Sequence, residues 1–250
     1  MRSEDRICLV VGGVRTIGRV IATTLAEAGA TVVVSTSRTP VPHSPFPAIH
    51  LDVLDLSSVE EAMDYLAEEY SRLDVLIYNS GLPGPSKSID EVSDEEWEEV
   101  FAVNVTGFFR LCRSSLPLLR RSREGGRIIA ISSMTGRRPL LHRAPYAATK
   151  LALTGFVRSL ALEVGPDDIT VNTVSPGYVE GERLGRVIEN QAEAHGVTVV
   201  EMHNRFVAHS PVGRFVAPES VARAVLFLAD PTASDITGTD INVTAGVWMD

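Results

Sequence analysis

The chain alternates short apolar runs with segments in which apolar residues recur every three or four positions. The apolar runs are rich in β-branched residues and predict buried strands at 6–11, 31–35, 74–79, 126–132, 169–175 and 240–243. Helical spacing predicts helices near 17–28, 57–70, 93–121, 145–164 and 218–229. Strands that alternate with helices in this way predict an α/β fold with a doubly wound parallel sheet.

Two stretches interrupt the alternation. Residues 39–47 contain four prolines, which favour an extended crossover after the second strand over a helical one. Residues 181–212 are polar and partly helical, and they follow the end of a strand, where α/β sheets bind their ligands. We interpret 181–212 as a substrate lid, with a plain surface excursion as the alternative. No linker divides the chain, so we expect one domain over residues 1–250.

Composition restricts the classes of partner. The net charge is -9 at pH 7, which argues against nucleic acid or an anionic membrane as the main partner. Cys8 and Cys112 lie in apolar segments and are expected to be buried packing residues. We see neither a signal peptide nor an apolar run of about 18 residues, so we expect a cytoplasmic protein. The histidine spacings match no compact zinc motif, so we expect no catalytic metal.

A glycine-bearing turn joins the first strand to the first helix. Gly12, Gly13 and Gly18 lie there, and a glycine lets the backbone and the free N–H groups of a helix N-terminus approach a pyrophosphate. The residues at the end of the second strand, 35–38, include no carboxylate to bind ribose hydroxyls, but they end in Arg38. Together with Arg15, this favours the 2′-phosphate of NADP(H) over NAD(H). The alternative is that one or both arginines are merely solvated.

Ser133, Tyr146 and Lys150 are the candidate proton-transfer group. Tyr146 and Lys150 are four residues apart in a predicted helix and therefore share one face. An ammonium and an oxidised nicotinamide nearby would lower the pKa of the phenol from about 10. Tyr146 could then exchange a proton with a carbonyl or alcohol oxygen, which Ser133 could also hydrogen-bond.

These motifs resemble the short-chain dehydrogenase/reductase family, in its 3-oxoacyl-carrier-protein-reductase-like branch, over nearly the whole chain. Ser133, Tyr146 and Lys150 keep the family's spacing of thirteen and then four residues. The resemblance extends to FAVNVTG, YNSG at 78–81, VNTVSPGYV and the C-terminal segments 211–230 and 236–243. It implies a Rossmann-type sheet of about seven strands and assembly as a homotetramer or dimer.

The resemblance also assigns further site residues. Asn104 matches the family's catalytic asparagine, which supports a water that relays protons to the lysine. Asp52 matches the acidic residue at the adenine. The full cofactor set expected is Gly12, Arg15, Thr16, Ile17, Gly18, Ser37, Arg38, Asp52, Val53, Asn79, Ser80, Gly81, Tyr146, Lys150, Pro176, Gly177 and Val179. The substrate set is Ser133, Leu141, His142, Tyr146 and Tyr178.

The sequence departs from the family's pattern around the cofactor. Thr16 stands where the glycine motif has its middle glycine, so that the loop is wider or the hydroxyl binds phosphate. Arg15 fits the basic residue that NADP-preferring members carry just before that glycine. Gly181 replaces a threonine that commonly contacts the carboxamide.

The expected function is reduction of a ketone, or oxidation of a secondary alcohol, with NADP(H). A second hypothesis is a dinucleotide-binding sensor or scaffold without redox turnover, and members of that kind usually lose the tyrosine or the lysine. A third is another reaction on the same fold, such as a dehydration, which predicts no net oxidation of nicotinamide.

Overall fold

The protein is represented by a computed structural model that describes residues 5–38 and 43–249. One sheet of seven parallel strands runs in the order β3-β2-β1-β4-β5-β6-β7. The strands are β1 (Ile7–Val11), β2 (Thr31–Thr36), β3 (Ala48–His50), β4 (Val75–Tyr78), β5 (Gly126–Ile131), β6 (Ile169–Pro176) and β7 (Asp240–Val243). The predicted doubly wound parallel sheet is therefore confirmed.

Helices cover both faces of the sheet. They are α1 (Thr16–Glu27), α2 (Leu56–Tyr70), α3 (Asp94–Phe101), α4 (Gly107–Leu119), α5 (Ala144–Val164), α6 (Glu182–His195), α7 (Val199–Ala208) and α8 (Pro218–Ala229). None of the helices in the described ranges is long and apolar enough to cross a membrane.

Alternate residues of the central strands contribute to two separate cores. In β1, Leu9 and Val11 pack in the core beneath α2, α4 and α5, whereas Cys8 and Val10 pack beneath α1 and α8. This is the period-two pattern of a strand that is buried on both faces. Cys8 and Cys112 are both buried free thiols, as expected, and burial raises the pKa of Cys8 to about 12.

The strand β3 was missed by the sequence pattern. It has only three residues and follows Pro47, whose carbonyl accepts a hydrogen bond from Val34 N at 2.9 Å. Three residues are too few to show a period, and its edge position leaves them partly exposed. The extended crossover predicted over 39–47 lies partly outside the described residues, and residues 43–47 contain no helix.

The helix predicted over 93–121 begins with the capping box of Ser93 and Glu96 and is divided into α3 and α4. Between them, residues Ala102–Thr106 form a π-helical segment that contains Asn104. The wider turn frees the Val103 carbonyl, which accepts a hydrogen bond from the Tyr78 hydroxyl at the end of β4. Segments of this kind occur often at functional sites.

The predicted lid contains α6 and α7, which pack on a third apolar cluster. Tyr178 stacks on Phe206 at 4.2 Å between ring centroids, and Gln191 Nε2 donates to the Leu141 carbonyl at 2.8 Å. Gly181, before α6, has φ +135°, and Gly196, after it, has φ +63°. The predicted lid is therefore hydrogen-bonded to the loop before α5 through Gln191, and a glycine with positive φ flanks each end of α6.

Candidate active site

A cavity of about 550 Å³ opens at the carboxyl ends of the strands, beside β1 and β4. The order of strands reverses between β1 and β4, because β2 lies on one side of β1 and β4 on the other. Doubly wound sheets bind ligands at this position. The cavity is lined by the turn before α1, the ends of β2 and β4, the segment after β5, and residues of α5 and α6.

None of the three glycines of the turn has room for a side chain, and a Cβ on Gly13 would lie 2.8 Å from the Val10 carbonyl oxygen. Gly12 has φ +74°, and a Cβ on it would lie 2.9 Å from Ser80 Oγ. A Cβ on Gly18 would lie 2.3 Å from the Gly12 carbonyl oxygen and 2.6 Å from Asn79 Nδ2. These glycines therefore pack the turn closely against the residues after β4, and Gly12 with residues 14–17 lines the cavity next to the N-terminus of α1. Such a cradle fits the pyrophosphate of a dinucleotide.

Thr16 is the unusual residue of this turn. It lines the cavity, it is exposed, and its φ is +46°, in the left-handed region that a β-branched residue rarely adopts. The chain therefore keeps the conformation that suits a glycine although a threonine occupies the position. No side-chain hydrogen bond to Thr16 compensates for this strain within the described part of the chain.

Arg15, Ser37 and Arg38 all line the cavity and are exposed. The backbone N–H of Arg38 donates to Thr36 Oγ1 at 3.1 Å, which fixes the chain direction after β2. The carboxylates that line the cavity, Glu180 and Glu182, belong to the segment around the start of α6. The end of β2 thus offers hydroxyl and guanidinium groups, which fit a 2′-phosphate.

Other expected cofactor residues are distributed unevenly. Ile17, Asn79, Ser80, Gly81, Pro176, Gly177 and Val179 line the cavity. Gly18, Asp52 and Val53 do not. The Asp52 carboxylate accepts a hydrogen bond from Leu54 N at 2.9 Å, and Val53 is only 6% exposed in the core.

Tyr146 and Lys150 project from one face of α5 into the cavity. Lys150 Nζ lies 5.6 Å from the centre of the Tyr146 ring and donates to the Ile131 carbonyl at 2.9 Å. Both residues are buried. The end of β5 therefore fixes the ammonium group beside the phenol.

Ser133 follows β5 and lines the same cavity. Its Oγ accepts a hydrogen bond from Thr135 N at 3.1 Å and donates to Thr135 Oγ1 at 3.1 Å. The short helical turn that begins after Ser133 thus holds the hydroxyl on the side of the Tyr146 phenol.

Asn104 lies outside the cavity lining and is completely buried behind it. Its amide accepts from Leu82 N at 2.8 Å and donates to the Leu82 carbonyl at 3.1 Å. It also donates at 3.0 Å to Thr149 Oγ1, which in turn donates to the Tyr146 carbonyl at 2.9 Å. Asn104 therefore joins the loop after β4 to the helix that carries the tyrosine.

Opposing effects set the pKa of Tyr146. Burial raises it, but the positive charges of Lys150 and Arg183 lower it. A hydrogen bond with Ser133 and the charge of Arg143 act in the same direction, so that the pKa of the phenol lies below its usual value. Burial also lowers the pKa of the Lys150 ammonium, and Tyr146 opposes that effect. The phenol is therefore suited to give and to regain a proton.

Arg143 and Arg183 were not identified from the sequence. The guanidinium carbon of Arg143 lies 4.9 Å from the centre of the Tyr146 ring, and that of Arg183 lies 5.6 Å from it. Arg183 Nη2 is 3.4 Å from Tyr146 Oη. The one available signal was that Arg143 precedes Tyr146 by three residues, a helical spacing.

Of the expected substrate residues, Tyr178 lines the cavity and accepts a hydrogen bond from Arg138 Nη1 at 3.0 Å. Leu141 and His142 do not line it. Leu141 is 46% exposed, and His142 has φ +59° in the loop before α5. Residues 5–38 and 43–249 contain no group of three or more side chains arranged to hold a metal ion.

Comparisons with known proteins agree with this geometry. A family model described as enoyl-(acyl carrier protein) reductase matches residues 12–248. The putative ketoacyl reductase of the monensin polyketide synthase from Streptomyces virginiae is 35% identical, over 98% of each chain. The 3-oxoacyl-[acyl-carrier-protein] reductase FabG of Escherichia coli is 33% identical over 100% of both chains.

Solved structures show the same likeness. A variant of the actinorhodin polyketide ketoreductase, determined with NADPH, is 32% identical, covers 99% of both chains and has a TM-score of 0.88. The ligand-free aldohexose dehydrogenase of Thermoplasma acidophilum is 28% identical over 98% of this chain and 94% of its own, with a TM-score of 0.89.

Proposed function

Because this chain belongs to the short-chain dehydrogenase/reductase family and is an NAD(P)-dependent ketoreductase of that family, we propose that it uses NADP(H) and that Tyr146 is its general acid and base. The observation that carries the proposal is the buried phenol with its pKa lowered beside Lys150, in the same cavity as the glycine turn. A phenol in this state can protonate a ketone oxygen or deprotonate an alcohol.

The nicotinamide ring supplies or accepts the hydride, and the chain's own residues handle the oxygen and its proton. Tyr146 transfers the proton, and Ser133 hydrogen-bonds the same oxygen. Lys150 stabilises the phenolate through its charge, and its bond to the Ile131 carbonyl keeps it in place. Asn104 positions Thr149 and the loop after β4.

The cofactor preference is proposed from the end of β2. Arg15, Ser37 and Arg38 line the cavity and can present donors to a 2′-phosphate, and no carboxylate lines the cavity at this end within the described residues. Gly12, Thr16, Ile17, Gly18, Asn79, Ser80, Gly81, Pro176, Gly177 and Val179 are proposed to surround the rest of the dinucleotide. Asp52 and Val53 remain proposed adenine contacts, and Leu141, His142 and Tyr178 remain proposed substrate contacts.

We also propose that the chain forms one domain, that 181–212 is its substrate lid, and that it works as a homotetramer or dimer in the cytoplasm. These proposals rest on the family resemblance and on the glycines at both ends of α6.

Replacement of Tyr146 with phenylalanine tests the proton transfer. Tyr146→Phe should reduce ketone turnover with NADPH below detection and leave NADPH binding within about twofold, because only the proton donor is removed. Tyr65→Phe, on α2 far from the cavity, is the matched control and should retain full turnover. If Tyr146→Phe turns over normally, the proposed acid is wrong. If the unmodified protein binds NADPH tightly but reduces no ketone, it is a binding protein.

Replacement of the arginines tests the cofactor preference. Arg15→Ala and Arg38→Ala should each raise the Kd for NADPH about tenfold or more, because a charge-assisted hydrogen bond contributes about 1.5–3 kcal/mol. The Kd for NADH should change little. Arg223→Ala, an exposed arginine of α8, is the control. Tighter binding of NADH than NADPH by the unmodified protein would contradict the proposal.

A further inference from the structure

We propose that Arg143 and Arg183 form an anion-binding site beside Tyr146, and that the substrate is a carbonyl compound with a carboxylate one or two carbons from the ketone. The substrate class would then be 2-oxo or 3-oxo acids, or the matching hydroxy acids in the reverse direction. This inference rests on the proposed ketone reduction and specifies its substrate.

Arg143 is an unusual buried cation. It is only 5% exposed and lines the cavity. No ion pair or hydrogen bond joins its guanidinium group to another residue of the described ranges. The other two deeply buried arginines differ, because Arg6 donates to the Asp74 and Gly125 carbonyls and Arg127 donates to the Gly126 carbonyl. The contact of Arg143 with the face of the Tyr146 ring, 4.9 Å from its centre, is a cation–π contact and supplies no acceptor for its N–H groups.

A buried guanidinium group at this position lowers the free energy of unfolding when no anion is bound to it. A buried charge normally has a partner, and the guanidinium cannot lose its proton. Arg143 is also the residue that precedes the first turn of α5, where the helix dipole is positive and repels a cation. A bound anion would reduce both the cost of burying the charge and the repulsion by the helix dipole. The cavity, which Arg143 lines, is where such an anion can bind.

Arg183 supplies a second guanidinium group, 5.6 Å from the centre of the Tyr146 ring. It lies in the first turn of α6, on the proposed lid, and its Nη2 approaches Tyr146 Oη to 3.4 Å. The neighbouring carboxylates do not neutralise it, because Glu182 pairs with Arg186 and no ion pair joins Glu180 to Arg183 in the described part of the chain. Arg183 is exposed, so that it can follow the lid and contact a ligand when one is present.

The short distance between Arg183 and the phenol limits the substrate. The ketone oxygen must bind at Tyr146 Oη, so an anion that contacts Arg143 and Arg183 must lie close to that ketone. A planar carboxylate matches the paired donors of an arginine. The nearby wall contains Leu140, Leu184 and Val187, which fits a short apolar remainder.

A different role for the two arginines makes a different prediction. If they served only to lower the pKa of the phenol, removing either one would slow neutral and anionic ketones equally. An anion site instead affects the anionic substrate alone. The ratio of the two rates therefore separates the roles.

The test measures kcat/KM with NADPH for acetoacetate, for its neutral analogue acetoacetamide and for the N-acetylcysteamine thioester of acetoacetate. The unmodified enzyme should prefer acetoacetate to the amide at least about tenfold, the effect of one charge-assisted hydrogen bond. Arg143→Gln and the exposed Arg183→Gln should each bring that ratio near one. Arg223→Gln, an exposed arginine of α8 that does not line the cavity, should leave that ratio unchanged.

A binding measurement keeps the inference testable without turnover. With NADPH present, 3-hydroxybutanoate should raise the Tm of the unmodified protein more than 3-hydroxybutanamide, and Arg183→Gln should remove the difference. If amide or thioester is reduced as well as the acid, and the two hydroxy compounds raise the Tm equally, the anion site is refuted while ketone reduction stands. If no ketone is reduced but the hydroxy acid still binds selectively, the anion site stands and the proposed reaction fails.

Discussion

Thr16 offers the sharpest test of how this chain differs from its relatives. Its φ of +46° places a β-branched residue in the left-handed region, and its exposed side chain makes no hydrogen bond to another residue of the described ranges. For a residue with a Cβ, that conformation costs about 1–2 kcal/mol. Thr16→Gly removes this cost. It also adds conformational freedom to the unfolded chain, which costs about 0.4–1 kcal/mol.

The net expectation for Thr16→Gly is a gain of about 0.5–1 kcal/mol in the free energy of unfolding. For a chain of this length that corresponds to a rise in Tm of about 1–4 °C. Calorimetry or thermal unfolding followed by circular dichroism measures it. Thr16→Ala is the matched control, because alanine keeps the Cβ and therefore the strain, and its Tm should not rise.

If Thr16→Gly lowers the Tm as much as Thr16→Ala does, the backbone at this turn is not strained and the reasoning fails. NADPH titration of the same variants separates two roles of the hydroxyl. We expect Thr16→Gly to bind NADPH at least as tightly as the unmodified protein, because glycine lets the backbone approach the phosphate. Weaker binding together with the gain in Tm would instead identify the hydroxyl as a phosphate ligand.

Two further predictions concern the residues around the phenol. Asn104→Ala should lower the free energy of unfolding in urea by about 1–3 kcal/mol, since it leaves the half-buried Leu82 backbone groups and the buried Thr149 hydroxyl without their partner. A loss below about 0.5 kcal/mol would contradict this. Because the pKa of Tyr146 is lowered, alcohol oxidation should rise with pH to a plateau reached below the usual phenol range, while ketone reduction falls across the same interval. Arg183→Gln removes a positive charge that lowers the pKa of Tyr146, so the rise of alcohol oxidation with pH should move to higher pH. A move to lower pH would show that Arg183 does not lower this pKa.

The fold followed from the sequence where hydrophobic periods were long enough to read. Six strands and the main helices were recognised because each buries a continuous run or face. The strand β3 escaped because three partly exposed residues carry no period. The π-helical segment at 102–106 escaped for a different reason: one wider turn shifts the helical face only slightly, so that the apolar pattern continues through it.

The candidate site was predictable where a chemical motif fixes the spacing. Ser133, Tyr146 and Lys150 meet in one cavity because the end of β5 and one face of α5 converge there. Arg143 carries only the weak signal of standing three residues before Tyr146, and a single arginine in a sequence is usually solvated. Arg183 carries no signal, because its approach depends on α6 folding back over the residues before α5, a contact that no local pattern encodes.

The unusual residues of this chain, Thr16 and Arg143, lie at the cavity and not in the core of the sheet. The central strands place apolar residues in a core on each face, whereas Thr16 strains the nucleotide turn and Arg143 holds a buried guanidinium group without an ion pair in the described residues beside the phenol. Both features cost folding free energy, and neither is needed to hold the sheet together. A loss of folding free energy that is confined to the ligand cavity is explained if binding of the ligand offsets it. Strain and unpaired charge persist where they serve binding. The cofactor turn and the arginine pair are therefore where selectivity within this family should be sought.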